Sequence, residues 1–574
     1  MLTSQKHFKS LTTSNPEPSH PRLYSPIAKV GCFLAIWILV SLLQLWNDGF
    51  DTEFTIHPDE PSHFITGVMA HDYLRNEVGS SPIDFAKEFY VRYPKIAFGH
   101  FPPAFYAIQA GWYLVFGVSK ASAILLIGLI TAIITSIIFQ RTLRLCGTLE
   151  AFIGSGLFLS LPLVRIHTFH VMADMLVSLF CILAVTAFTD LLKYKHWKYS
   201  VFFIVWTILG TLTKGNAFAL ILFIFLAPFF TGFCGPRHWK RIALLLAATI
   251  LVTTPFFIVA DSLGLSFHTN AYRLARGALY SWQRLHLLEQ LYRATGPCLW
   301  IVAAAGIIRY AYRWHGRSEE ETHRRIDIGC SIAWVLSVVL FQILCYITGE
   351  SRYFLPALPA LIVIFGYGLN DIRQKLSPYG KIVEYGAVAI IVPLAIITVE
   401  PDPRKAHSGY TAVAESIPSE HNAPVILIAS DERGEGSFIV ERLLRDKDRK
   451  GVVLRASKTL SKSTWMGNYF KLVFKTPTEL KSYLNSTQID YIVIDIAAYG
   501  DQEISPDVKL LLDTVQNDPA NFELRDSFTI TRKGTPQVDG LFVYKNLKTD
   551  NTKPRVIRLN SGPEVLKDFE LILD

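Results

Sequence analysis

Apolar residues in this chain come in long runs separated by short polar breaks. Crossing a bilayer takes roughly 17–25 residues, and eleven runs approach or reach that length. They lie near 30–46, 121–140, 149–165, 172–192, 199–213, 216–232, 242–260, 297–313, 328–347, 353–370 and 382–399. A further apolar, aromatic segment, 103–117, is too short to span and reads as a helix lying in the membrane interface, where Tyr and Trp are favoured. Beyond residue 400 the pattern changes. Residues 425–430 and 491–497 read as buried strands, 436–445, 476–485 and 507–516 as helices, and 522–531 with 541–545 as a closing strand pair. Strand and helix patterns alternate there, which predicts a small α/β domain.

Composition agrees with the patterning. Of 574 residues 51% are hydrophobic and 18% charged, where a soluble chain is nearer a quarter charged. The expected fold class is a polytopic α-helical membrane protein of about eleven transmembrane helices with a C-terminal extracytoplasmic α/β domain. The division is a cytoplasmic tail at 1–29, a transmembrane domain at 30–400 with a long outer loop at 47–120, and a soluble domain at 401–574. The first run lacks a small-residue cleavage site and reads as a retained span.

Charge placement sets the expected sidedness. With eleven spans, the basic clusters Lys6/Lys9/Arg22/Lys29, Arg141/Arg144, Lys193/Lys195/Lys198, Arg237/Lys240/Arg241, Arg309–Arg325 and Arg373/Lys375/Lys381 all fall on one side. Positive residues mark the cytoplasmic side. The N-terminus is therefore expected in the cytoplasm of a plasma (inner) membrane protein, and the tail beyond 400 outside. The loop 261–296 departs from the rule, carrying Arg273, Arg276, Arg284 and Arg293 on the outer side. Seven cysteines, none beyond 345 and none in a CxxC pair, indicate neither a zinc knuckle nor a disulfide framework. No Walker motif and no GxGxxG is present, which argues against an ATP-driven pump. No nucleic-acid partner is expected.

The chemistry concentrates in the first outer loop, at His57-Pro58-Asp59-Glu60-Pro61-Ser62-His63. Asp59 has two readings. It caps a helix beginning near Pro61, or it is a general base, its proton affinity raised by partial shielding at the membrane edge. Glu60 is its companion carboxylate. His63, four residues beyond Asp59, can share a helical face with it. His57, Asp59 and His63 also form a weaker candidate set for a divalent cation. Gly99-His100-Phe101-Pro102-Pro103-Ala104-Phe105-Tyr106 follows, and His100 and Tyr106 are candidates to wall the same site. Asp174 opens a span from the outer side, where an ionisable residue is costly and tends to line a cavity. Lys214 and the Arg352-Tyr353 pair sit in tight outer turns. With Lys120 and the Arg273/Arg276 pair they place cations on the face of Asp59, as phosphate binding requires. Snorkelling to lipid headgroups is the plainer role for each. In the tail, the stretch Asp431 to Gly436 follows a strand and precedes a helix; it reads either as an anion-binding loop or as a simple strand–helix turn.

In the order and shared side of these features the chain resembles the GT-C membrane glycosyltransferases, in particular the lipid A aminoarabinose transferases and protein O-mannosyltransferases. The resemblance covers roughly 30–400. It rests on Asp59-Glu60, on Pro102-Pro103-Ala104-Phe105-Tyr106, on Asp174, on Thr213-Lys214-Gly215 and on Arg352-Tyr353-Phe354-Leu355-Pro356. It implies a polyprenyl-phosphate sugar donor, transfer of a hexosyl or pentosyl group to a lipid, glycan or protein acceptor, and an acceptor-side role for Asp59. This chain departs from the family in flanking its acidic pair with histidines and in lacking an Arg shortly after it.

The expectation is thus a transferase that displaces a lipid phosphate from the anomeric carbon of a sugar, using no nucleotide and no required cofactor. Its partners would be the polyprenyl-phosphate sugar, the acceptor and membrane lipids. A lipid-linked sugar flippase or a non-catalytic envelope protein are the alternatives. The first should show internal repeats, which the sequence lacks. The second leaves the shared face of Asp59, Asp174 and Lys214 without a reason.

Overall fold

The computed structural model describes residues 25–262, 286–345, 350–399, 407–418, 424–462, 470–496, 503–532, 538–549, 555–558 and 570–573, apart from 98, 234 and 317. All eleven apolar runs are helical over most of their length. Among the described residues six helices are long and apolar enough to cross a membrane, or seven if His286–Thr295 and Pro297–Tyr312, bent by 95°, count as one span. Ala104–Phe116, Thr148–Ser160 and Gly215–Thr231 are shorter apolar helices. The chain is built as an integral membrane protein. Prolines explain some of the shortening. The run expected at 149–165 stops at Ser160 and restarts as Pro162–His167, because proline donates no hydrogen bond and its ring crowds the preceding turn, which favours a break there. The segment expected in the interface is the helix Ala104–Phe116, tied to the rest by Ala104 N–H donating to the Leu212 carbonyl at 2.9 Å.

Close packing between spans rests on small residues. A Cβ on Gly368 would stand 1.9 Å from the Val302 carbonyl oxygen, and one on Gly306 2.8 Å from that of Ile364. Helices Pro297–Tyr312 and Leu358–Leu376 therefore touch backbone to backbone, as membrane helices do where glycine permits it. Gln44, fully buried in the first span, donates through Nε2 to the carbonyls of Ile124 and Thr168 at 2.8 and 2.7 Å, which locks that span to the helix Lys120–Leu145 and to the end of Pro162–His167.

The helix ends that carry basic loops interlock on one face. Lys193 and Arg141 both reach Asp327, at 2.5 and 3.6 Å. Arg373 bridges Glu150 and Glu384 at 2.6 Å each, and Arg309 meets Asp371 at 2.7 Å. The opposite face bears the loop 47–120, which folds into three helices, Glu60–Asn76, Pro82–Arg92 and Ala104–Phe116.

The C-terminal region forms a six-stranded sheet in the order His407–Ser408, Phe522–Arg532, Val538–Asn546, Tyr491–Asp495, Val425–Ala429, Val452–Arg455. The last three strands run parallel to one another, and the first three attach antiparallel. The chain order reverses beside Val425–Ala429, and in open α/β sheets ligands bind at the carboxyl ends of strands at such a point. Here that crevice is filled from within. Tyr410, fully buried, and Ser430 both donate to Asp495 Oδ2 at 2.7 Å. Gly434 leaves the room they need, since a Cβ there would lie 2.0 Å from Ser430 Oγ. Asp431 caps the following helix, Glu432–Arg445, by accepting from the N–H groups of Arg433 and Gly434. The strand–helix turn thus uses its own polar groups internally.

This region sits directly on the loop 47–120. The Glu53 carboxylate accepts the backbone N–H groups of Gly409, Tyr410 and Thr411 at 2.9, 3.0 and 3.2 Å. Arg449 pairs with Asp72, Lys120 with Glu441, and Tyr93 donates to Asp446.

Replacing Gly368 with alanine forces the two helices apart. Overpacking of this kind costs about 1–3 kcal/mol. Thermal unfolding in detergent should show Gly368→Ala less stable than wild type, whereas Gly386→Ala, whose Cβ meets nothing within 4 Å, should be neutral or better.

Candidate active site

The loop's first helix, Glu60–Asn76, begins just past Asp59, with Pro61 in its first turn. Proline at that position spares an N–H that would have no partner. Successive residues at a helix start diverge by about 100°, so the two carboxylates face different ways. The Asp59 side chain is 40% exposed, and its Oδ2 lies 3.5 Å from Arg352 Nη2 and 3.7 Å from His57 Nδ1. Its side chain does not cap the helix. Partial burial opposes charge on Asp59, but His57 and Arg352 outweigh it and hold its carboxyl below the usual range, the reverse of the raised affinity expected from shielding at the membrane edge.

Glu60 is fully buried. Its Oε1 accepts the Val171 N–H at 3.0 Å and its Oε2 has no hydrogen-bond partner among the described residues. Burial pushes its pKa up to about 8, with the Val171 bond pulling weakly the other way. The pair is therefore split: Asp59 is ionised at neutral pH and turned toward the opening, while Glu60 is mostly neutral and turned inward.

Three span ends converge behind them. Asp174, the first residue of Asp174–Tyr194, accepts from Lys214 Nζ at 2.7 Å, and both are buried. Lys214 also lies 5.1 Å from the Tyr353 ring centroid and 5.9 Å from that of Phe101, and Arg352 lies 5.5 Å from Tyr353. Arg352 is held by Glu350 through Nε at 2.6 Å, and its Nη1 has no hydrogen-bond partner among the described residues. Glu350 in turn reaches His57 Nε2 at 3.6 Å.

His63 is fully buried, tilted against Phe101, and hydrogen-bonded through Nδ1 to Tyr106 Oη at 2.9 Å. Burial pushes its pKa down to about 3, so the ring is neutral although Asp59 favours its charge. The Phe101 ring lies 4.7 Å from that of His63 and 5.9 Å from Lys214 Nζ, which sets His63 beside the Asp174–Lys214 pair. His57 and Asp59 adjoin, but His63 turns to Tyr106. Among the described residues no three His, Cys, Asp or Glu side chains converge to hold a metal ion.

Of the residues singled out in the sequence, Asp59, Glu60, His63, Tyr106, Asp174, Lys214, Arg352 and Tyr353 are brought together. His100 lies exposed, in the turn before the Pro102-Pro103 corner. Lys120 does not join them; Glu441 of the C-terminal region takes it at 2.8 Å. Arg273 and Arg276 lie outside the described residues. Three residues not singled out belong here. Glu350 orients Arg352, Glu53 ties the loop to the C-terminal sheet, and the buried Lys95 donates to the Glu432 carbonyl at 3.2 Å while sensing Asp59. Adjacency to Arg352 could have flagged Glu350; nothing local marks the other two.

Comparison with known proteins follows this geometry. Residues 100–259 match the family model described as dolichyl-phosphate-mannose-protein mannosyltransferase. In fold the chain is similar to ArnT from Cupriavidus metallidurans bound to undecaprenyl phosphate, with a TM-score of 0.52, 14% identity, and coverage of 91% of this chain and 99% of that one. The apo state of the same protein gives 0.51 and 12%, covering 90% and 98%. Coverage that high takes in the C-terminal sheet as well as the helical body. The fold is thus that of GT-C membrane enzymes, and the resemblance drawn from the motifs holds at that level. No curated protein matches the chain in sequence.

Two expectations follow. A buried ion pair that loses one partner costs about 3–5 kcal/mol, so Lys214→Met should destabilise the protein clearly, and Lys214→Met with Asp174→Leu should recover much of the loss in thermal unfolding. For Glu60, the folded pKa of about 8 lies above the ordinary 4.5. The folded state then binds the proton more tightly, so its contribution is intact below about pH 4.5 and is lost as pH rises through 8. Glu60→Gln should flatten the fall in melting temperature between pH 5 and 9; an unchanged slope would assign the fall to other groups.

Proposed function

We propose that the protein is a membrane glycosyltransferase that moves a sugar from a polyprenyl-phosphate donor to an acceptor hydroxyl at the outer face of the membrane. The observation that carries this reading is the pairing of one ionised, accessible carboxylate, Asp59, with two buried cations, Lys214 and Arg352, that share the Tyr353 ring. Such a site has a base at one end and phosphate donors at the other. Its fold likeness to ArnT bound to undecaprenyl phosphate supports the donor class. In this reading the N-terminus is cytoplasmic, and residues 401–574 form an extracytoplasmic domain.

Asp59 would accept the proton of the acceptor hydroxyl as its oxygen attacks the anomeric carbon. The carbon–phosphate-oxygen bond breaks on the opposite side, and the lipid phosphate leaves with the electron pair. Charge then grows on the phosphate. Arg352 has an unspent Nη1 hydrogen and Lys214 has two further N–H bonds to offer, so both can strengthen their hold as that charge develops. A single displacement inverts the anomeric centre. Glu60 and His63, both buried, would position the pair rather than touch the acceptor. The reading needs no nucleotide, because the leaving group is already on the lipid, and it routes no step through a metal.

Asp59→Asn keeps the shape and removes the base. With a radiolabelled polyprenyl-phosphate sugar and a hydroxyl acceptor, transfer should fall by about 10²- to 10⁴-fold while the donor lipid is still retained. Full transfer in that variant would refute the base role. Lipid translocation without any transfer, in wild type and variant alike, would instead identify a flippase.

A further inference from the structure

Helix Glu432–Arg445 of the C-terminal region touches the acidic-pair helix at one unusually close point. A Cβ built on Gly436 would stand 2.8 Å from Pro61 Cγ, 2.9 Å from Pro61 Cβ and 3.2 Å from Lys95 Cε. Pro61 directly follows Glu60. Its ring is rigid and lies in the first turn of its helix, so it cannot yield as a flexible side-chain tip would. One turn earlier the Glu432 carbonyl accepts from Lys95 Nζ, and one residue later Ser437 Oγ donates to the Glu53 carbonyl. The same face of the helix therefore meets the loop at residues 53, 61 and 95, on both sides of Asp59 and Glu60. The region's own strand-end crevice is filled by Tyr410 and Ser430, and of its contacts with the loop this helix face is the one that meets the residue next to Glu60.

We propose that Gly436 is a positioning residue: its missing side chain lets the C-terminal helix seat against Pro61, and that contact sets where Asp59 and Glu60 stand. The consequence for catalysis rests on the transferase reading above; the positioning itself does not.

Gly436→Ala tests it, with Gly156→Ala as the control, since a Cβ at 156 meets nothing within 4 Å. Both replacements sit inside helices, where alanine is intrinsically the better residue, so a loss at 436 reports the contact and not the helix. Hydrogen exchange followed by mass spectrometry on the full-length protein should show residues 57–66 exchanging about tenfold faster in Gly436→Ala and unchanged in Gly156→Ala. Unchanged exchange at 57–66 in Gly436→Ala would overturn the proposal. In the transfer assay Gly436→Ala should lower kcat on the order of 10- to 100-fold, as small misplacements of reacting groups do, with donor KM within about threefold. Equal changes in Gly156→Ala would count against it. Should Gly436→Ala fold poorly, Pro61→Gly removes both opposing carbons. The double variant should then exceed the additive expectation for folded yield and kcat by about threefold or more, and strict additivity would refute the contact. If wild type transfers no sugar but exchange responds as expected, the transferase reading fails and the positioning stands.

Discussion

The buried pair of Asp174 and Lys214 is the constraint on which the site is built. A lone charge in an apolar body is too costly to keep, so each of these residues requires the other. Satisfying both fixes the start of Asp174–Tyr194 against the turn that precedes Gly215. Lys214 then stacks toward Tyr353 and Phe101, which draws in the turn before Leu358–Leu376 and the Pro102-Pro103 corner. Arg352 follows because it adjoins Tyr353, and it brings its charge to Asp59. One 2.7 Å contact thus gathers segments from across the helical body at one end of it.

The acidic pair shows how adjacent like residues acquire opposite properties. Their separation around the helix start sends Asp59 to the side of two cationic partners and Glu60 into the core. Coulombic attraction lowers one carboxyl and desolvation raises the other. Pairs of titratable groups pushed apart in this way mark acid–base assignments. The flanking histidines divide likewise. His57 bridges Asp59 and Glu350, while His63, neutral and bonded to Tyr106, packs against Phe101 and Phe105 as an aromatic wall.

Much of this was legible in the sequence because the signals are local. Apolar runs mark helices. Charge bias orders the loops so that 141, 193, 309 and 373 end on one face, and their carboxylate partners confirm the grouping. The strands at 425 and 491 and the helices around 436, 477 and 507 follow from period and turn residues. What sequence could not supply is partner choice. Lys120 lies on the correct face, yet Glu441, distant in sequence, claims it. Glu53 looks like an ordinary loop acid until three N–H groups near residue 410 close on it. The short strand Val452–Arg455 carries too little periodicity to be seen without its neighbours, whereas the helix Pro82–Arg92 is amphipathic and opens on a Ser81 cap, a signal the sequence does hold. Glu60 was indistinguishable from Asp59 because burial is decided by packing, and the two share every local feature.

The joint between the C-terminal sheet and the membrane body explains why that region belongs to the site. The contacts across it are largely polar and charged: Glu53 to a helix start, Arg449 to Asp72, Lys120 to Glu441, Tyr93 to Asp446 and Arg92 to the Lys450 carbonyl. Charge pairs add little net affinity but fix register, because any shifted arrangement strands a partner. Register is what a close contact such as Gly436 against Pro61 requires, since backbone and ring meet there with no slack. A crevice of the kind that binds ligands in other α/β sheets is here closed by Tyr410, whose backbone N–H is itself held by the loop through Glu53. The two parts meet at the loop that carries Asp59, and that carboxylate keeps an exposed side.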